Sequence, residues 1–215
     1  MNVARNIAEN VAIGVCQGLG VADDAATLSG FRNQGCAAAI LRRVNPPAFQ
    51  SWIDALAPDR LPKGRKVVGQ RDVRRTALQF CLDSNTPEGP ERALLIDDVA
   101  TLADRFADIM KAAYLRVRFD VIETNACRKF HVDAITGRLV CTYRGTGTQY
   151  GISTGGGDPE QVHTTPTGAP ILLRGTRWPE RPGTGFLHRS PPIAGTGETR
   201  LVLVLDPMDA LEEEY

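Results

Sequence analysis

Histidine is scarce in this sequence: of 215 residues only three carry an imidazole, His131, His163 and His188, and all lie beyond the midpoint. Any chemistry that needs two imidazoles must draw on that small set. No charge of one sign dominates, because 25 Lys and Arg balance 25 Asp and Glu. That balance argues against a nucleic-acid partner bound by phosphate neutralisation, which needs a basic surplus or stripe. No apolar run approaches the roughly 20 residues of a membrane-spanning helix. The five cysteines (Cys16, Cys36, Cys81, Cys127 and Cys141) are odd in number, scattered and free of any C-x-x-C. Reduced thiols in a cytoplasmic protein are therefore expected rather than a disulfide framework. The first twenty residues contain no basic leader running into a long apolar core, so no secretory signal is expected. Two catalytic signatures are also missing. Gly155 to Gly157 carry no following Lys-Ser/Thr and open no helix, which excludes a phosphate loop. Ser153 and Ser190 lack the G-x-S-x-G setting of an esterase nucleophile.

What is present suffices for a folded domain. Charged residues make up 23% and hydrophobic ones 42%, enough apolar material to build a core at this length. Leu95, Val99, Leu102, Phe106, Ile109 and Ala113 recur at steps of three or four, which predicts an amphipathic helix within residues 87–114. It starts either at Pro87, with Thr86 as cap, or at Pro90. Further helices are expected over residues 47–56 and 72–82, while 36–41 reads as a short strand or a helical turn. Beyond residue 114 the pattern changes. Val117, Phe119 and Val121 alternate with Arg116, Arg118 and Asp120, which predicts a half-buried strand over 115–123. Short apolar runs punctuated by Gly and Pro predict more strands over 129–133, 138–143, 170–174, 185–189 and 199–205. The expected fold is α+β: a jelly-roll sheet core over residues 115–208, braced by a helical lobe over 1–114. Residues 151–169 read as a long loop, either a lid or a plain excursion, with His163 as a solvated loop histidine.

The chemistry concentrates in His131-Val132-Asp133. In a strand, residues two apart share a face, so His131 and Asp133 would project together into an interior that should be apolar. Metal ligation is one reason to place them there. His188 is the third candidate ligand, and two histidines with one carboxylate form the facial set of non-haem Fe(II), which leaves positions open. Arg200 shares a face with Val202 and Val204, and a guanidinium facing inward suits a carboxylate taken by both arms of its fork. Cys127, four residues before His131, either completes a closed zinc site with the three or packs beneath them. Tyr143 either hydrogen-bonds a bound acid or belongs to the core. Simpler readings exist for the rest: His131 and Asp133 as a hydrogen-bonded pair without metal, and Arg200 as a structural partner of Asp133 or Asp206.

The order H-x-D, a distal His and an Arg about a dozen residues later resembles the Fe(II)/2-oxoglutarate oxygenases. That resemblance covers roughly the last hundred residues. It implies a double-stranded β-helix, a cupin-like jelly roll, with His131, Asp133 and His188 holding Fe(II). It also implies Arg200 on the far carboxylate of the co-substrate 2-oxoglutarate, and hydroxylation of an organic substrate. The blocks CRKFHVD (127–133), RLVCTYRGTGT (138–148) and HRSPP (188–192) resemble more closely the bacterial family called domain of unknown function 1826. Members of that family tend to be encoded near zinc-responsive metal GTPases. This implies the alternative function, a non-catalytic Zn(II)-binding protein linked to metal homeostasis.

Overall fold

The computed structural model describes residues 18–24, 27–180 and 183–211. Cys16, the amino-terminal stretch in which no secretory signal is expected, and the acidic run Glu212 to Glu214 lie outside them. Helices stand where the apolar spacing put them: α1 (Pro47–Ala55), α2 (Val73–Asp83) and α3 (Pro90–Met110). Helix α3 takes the later of its two expected starts, with Pro90 in the first turn, where a missing N–H costs no hydrogen bond. It buries Leu95, Val99, Leu102, Phe106 and Ile109 and stops at Lys111, whose backbone is left-handed (φ 54°). Ala113, assigned to the same stripe, falls past that cap. None of the helices is long and apolar enough to cross a membrane among the described residues.

The strands are β1 (Gly18–Ala22), β2 (Cys36–Leu41), β3 (Gly64–Gly69), β4 (Tyr114–Ile122), β5 (Gly137–Arg144), β6 (Gln149–Ile152), β7 (His163–Thr164), β8 (Pro170–Arg174), β9 (Phe186–Arg189) and β10 (Arg200–Met208). Seven of them form one sheet in the order β1-β2-β8-β5-β10-β4-β3, and three form a second in the order β7-β6-β9. The fold is thus mixed α+β. Strand β10 shows why: Leu201, Leu203 and Leu205 pack on the helices, while Val202 and Val204 join a second core. A strand covered on both faces reads as a continuous apolar run. The second core also holds Val140, Ile171, Leu173 and Phe186, with Tyr150 packed against it, and so joins the inner faces of the two sheets. Strand β4 alternates as expected, with Leu115, Val117 and Phe119 on the helix side.

Two expectations need correction. Residues 1–114 do not form a helical lobe alone, because β1, β2 and β3 are members of the seven-stranded sheet. These strands are short, and β1 and β3 begin in glycine and lie at the sheet's edges, so they lack a two-sided apolar pattern. Residues 129–133 are not a strand. Only His131 pairs, as an isolated antiparallel bridge to His188. The long loop is also pinned at both ends: β7 pairs back onto β6, and the Thr165 N–H donates to the Thr148 carbonyl.

Phe106 is fully buried between the sheet and the helices. Phe106→Ala is expected to lower stability by about 3–5 kcal/mol through lost burial and a cavity, measured as a shift of the urea midpoint at unchanged slope.

Candidate metal centre

Backbone pairing brings the distant parts of the centre together. The His131 N–H donates to the His188 carbonyl and the His188 N–H to the His131 carbonyl, both at 3.0 Å. This reciprocal pair sets the two residues directly opposite each other, with ring centroids 4.6 Å apart. Ser190 N–H donates to the Cys127 carbonyl on one side of the bridge, and Thr176 N–H to the Asp133 carbonyl on the other. Thus the H-x-D segment is held in place without being a regular strand.

The three side chains converge. One ligand atom from each of His131, Asp133 and His188 lies within 4.8 Å of the others. His188 Nε2 stands 3.1 Å from Asp133 Oδ2, and His131 Nε2 stands 3.5 Å from Asp133 Oδ1. Donors about 2.1 Å from one ion and at right angles to each other stand about 3 Å apart. The His188 separation is close to that spacing, and the His131 separation, to the other carboxylate oxygen, is longer. His131 Nδ1 lies 2.8 Å from the Lys129 carbonyl. With the proton on Nδ1 donating to that oxygen, the Nε2 lone pair is left facing Asp133, the tautomer a metal ligand needs.

Charge states favour a cation. Burial would push the Asp133 carboxyl up, but the His188 hydrogen bond and the Arg138 guanidinium outweigh it and hold the group at about 2. Burial pushes the His188 imidazole below its ordinary value, against the pull of Asp133. An ionised carboxylate beside a neutral imidazole is the form in which these groups ligate metals. Arg138 approaches Asp133 Oδ1 at 3.0 Å through Nη1 and holds Asp206 through Nε and Nη2 at 2.6 and 2.9 Å.

Arg200 lies on the same inner face, 1% exposed. Its Nε donates to the Thr146 carbonyl at 2.6 Å and its Nη2 to Thr142 Oγ1 at 3.4 Å, while Nη1 is buried with no protein partner. Burial pulls its pKa down to about 10. It pairs with neither Asp133 nor Asp206, which Arg138 holds and of which Asp206 lies six residues further along the same strand, and the carboxylate that favours its charge is Glu198. A buried guanidinium N–H with no protein acceptor is suited to a carboxylate oxygen.

Two sequence-derived candidates stand elsewhere. Tyr143 does not line the centre: it projects from the opposite face of β5 among the helices, and its hydroxyl donates to Asp98 at 2.6 Å. Alternation placed it with Cys141 correctly, but nothing in the pattern said which face is the inner one. Cys127 is exposed and stands outside the three-residue group, so it completes no closed zinc site. Sequence reasoning missed Tyr150. Across the β6–β9 pair it is in register with His188, and its ring stacks on Phe186 at 5.7 Å and on the exposed His163 at 5.5 Å. Only the strand pairing reveals it. Thr142 and Thr146, the partners of Arg200, had no signal in the sequence.

A family model described as "Protein of unknown function (DUF1826)" matches residues 22–206. No curated protein matches the chain in sequence. Among solved structures, the fold is similar to dioxygenase for auxin oxidation 1 from Arabidopsis thaliana, solved as a 2-oxoglutarate complex. That match has a TM-score of 0.50 and 8% identity, and covers 91% of this chain and 95% of that one. The rice dioxygenase for auxin oxidation gives a TM-score of 0.49 and 12% identity over 86% of this chain and 78% of that one.

The thiols provide a check on this arrangement. Burial pushes the Cys81 thiol up to about 11 and the Cys141 thiol up to about 12. Of the four described cysteines, brief treatment of native protein with iodoacetamide is expected to modify Cys127 and spare Cys36, Cys81 and Cys141. Peptide mass mapping reads the pattern.

Proposed function

The chain belongs to the family described as protein of unknown function (DUF1826), and on that premise we propose that it is an Fe(II)- and 2-oxoglutarate-dependent oxygenase that hydroxylates a small organic substrate. In this reading the two sheets are the walls of a double-stranded β-helix. His131, Asp133 and His188 hold the metal at its inner face. Bound iron would activate dioxygen, the oxidant, with 2-oxoglutarate giving up two electrons as it is decarboxylated, chemistry that no side chain of the protein can provide.

The protein's own contribution is to bind, orient and exclude water. His131 and His188 offer neutral nitrogens and Asp133 a single negative charge. That donor set is open and leaves positions for a chelating co-substrate, whereas a closed zinc site would need a fourth protein ligand. Arg200, fixed by Thr146 and Thr142, presents Nη1 to the far carboxylate of 2-oxoglutarate. Tyr150, opposite His188, lines the inner wall. The observation that carries the reading is the conjunction on one inner face of a three-donor cluster and a buried guanidinium with a donor to spare.

Titration without oxygen with Fe(II) and 2-oxoglutarate is expected to give the visible charge-transfer band of the chelate. Asp133→Ala should abolish the band while the protein stays folded. Arg200→Met should keep Fe(II) binding but weaken 2-oxoglutarate at least tenfold, since it removes a charge-assisted pair in a buried setting. No band in the wild-type protein, with zinc retained stoichiometrically through chelation, contradicts the reading.

A further inference from the structure

Arg138 sits between two carboxylates and uses them differently. Asp206 takes Nε and Nη2 in a two-pronged pair at 2.6 and 2.9 Å, which fixes the plane of the guanidinium. Asp206 is itself 3% exposed and lies 3.7 Å from Arg116, so its own position is held. The remaining nitrogen, Nη1, reaches Asp133 Oδ1 at 3.0 Å, the oxygen that His131 Nε2 also faces at 3.5 Å, while Oδ2 faces His188 at 3.1 Å. The two oxygens of Asp133 are therefore not equivalent. Both anchors project from neighbouring strands, β5 and β10, on the face that carries Val140, Val202 and Val204. A free carboxylate beside a divalent ion can turn and offer both oxygens, filling a coordination position that a second ligand would otherwise take.

We propose that Arg138, locked by Asp206, is a positioning residue of the metal centre: it occupies one oxygen of Asp133 so that the carboxylate meets the ion through the other oxygen alone. The proposal rests on the metal-binding reading above and extends it from the three ligands to the pair that orients one of them. Arg138 and Asp206 carry opposite charges, so the pair orients Asp133 without adding net charge beside the cation. Its loss is then felt as misorientation, which for residues supporting a metal ligand typically costs about 10–100-fold in affinity.

Co(II) is the probe, because its visible spectrum reports coordination. The full chain, the Arg138→Met/Asp206→Leu double variant and Arg138→Lys are each stripped with chelator, checked for folding by circular dichroism and titrated with Co(II). The double variant removes the pair at constant net charge. Its Co(II) affinity is expected to fall about 10–100-fold, with a changed visible band as Asp133 engages through both oxygens. Arg138→Lys keeps the charge but not the fork, and is expected to lie between wild type and the double variant. A folded double variant with wild-type affinity and spectrum overturns the proposal. If the double variant does not fold, Arg138→Lys decides: a wild-type affinity and band overturn the proposal, and an intermediate affinity supports it. Failure of the wild-type protein to bind Co(II) overturns the metal reading itself, a result distinct from either of these.

Discussion

Two backbone hydrogen bonds between His131 and His188 make the site possible. The residues are far apart along the chain, and each lies in a segment too short to specify its own place: β9 has four residues and the H-x-D segment pairs at one position only. A backbone hydrogen bond contributes a net of about 1 kcal/mol, so the bridge is held chiefly by what surrounds it. Bonds from Ser190 to Cys127 and from Thr176 to Asp133 clamp it from both sides. Glycine at 175 allows this close approach, because a Cβ there would stand 1.9 Å from the Ile135 carbonyl oxygen. The chain crosses itself here at backbone-to-backbone distance, and the crossing aims both imidazoles at one carboxylate.

The inner face is an apolar surface interrupted by charges, and each charge is accounted for by a neighbour. Asp133 is answered by His188 and Arg138, and Arg138 by Asp206. Arg200 is held differently. Burial works against its charge while Glu198 favours it, its hydrogen bonds go to neutral oxygens, and one donor is left over. A buried donor without an acceptor is costly, and a carboxylate ligand would supply one. The opposite face of the same sheet shows the contrast. There Arg43 grips Asp98, whose other contact is the Tyr143 hydroxyl, so that cluster is self-satisfied and needs no ligand.

Much of this was legible in the residues, for identifiable reasons. Helix α3 declared itself because its buried stripe is long and unbroken, and β4 because its two faces meet different surroundings. The grouping of His131 with Asp133 was read from strand spacing, which residues 129–133 do not have; the isolated bridge from His131 to His188 is what brings the three side chains together. Face assignment was not legible. The period of two groups Cys141 with Tyr143 and Arg138 with Thr142, yet it does not say which group meets the ligand cavity, and Tyr143 fell on the helix side. Cys127 was grouped with His131 on the premise of a straight strand, which residues 129–133 do not form. The edge strands β1 and β3, the two-residue β7 and the partnership of Tyr150 with His188 depend on pairing between segments remote in sequence, and no local pattern encodes it.

The central claim is that His131, Asp133 and His188 share one iron ion. Anomalous diffraction at the iron edge tests it most directly, on crystals grown without oxygen in Fe(II) and 2-oxoglutarate. A single strong peak bonded to Nε2 of each histidine and to an oxygen of Asp133 is the predicted result. A peak at any other side chains, or fully loaded crystals with no peak between these three, would contradict it.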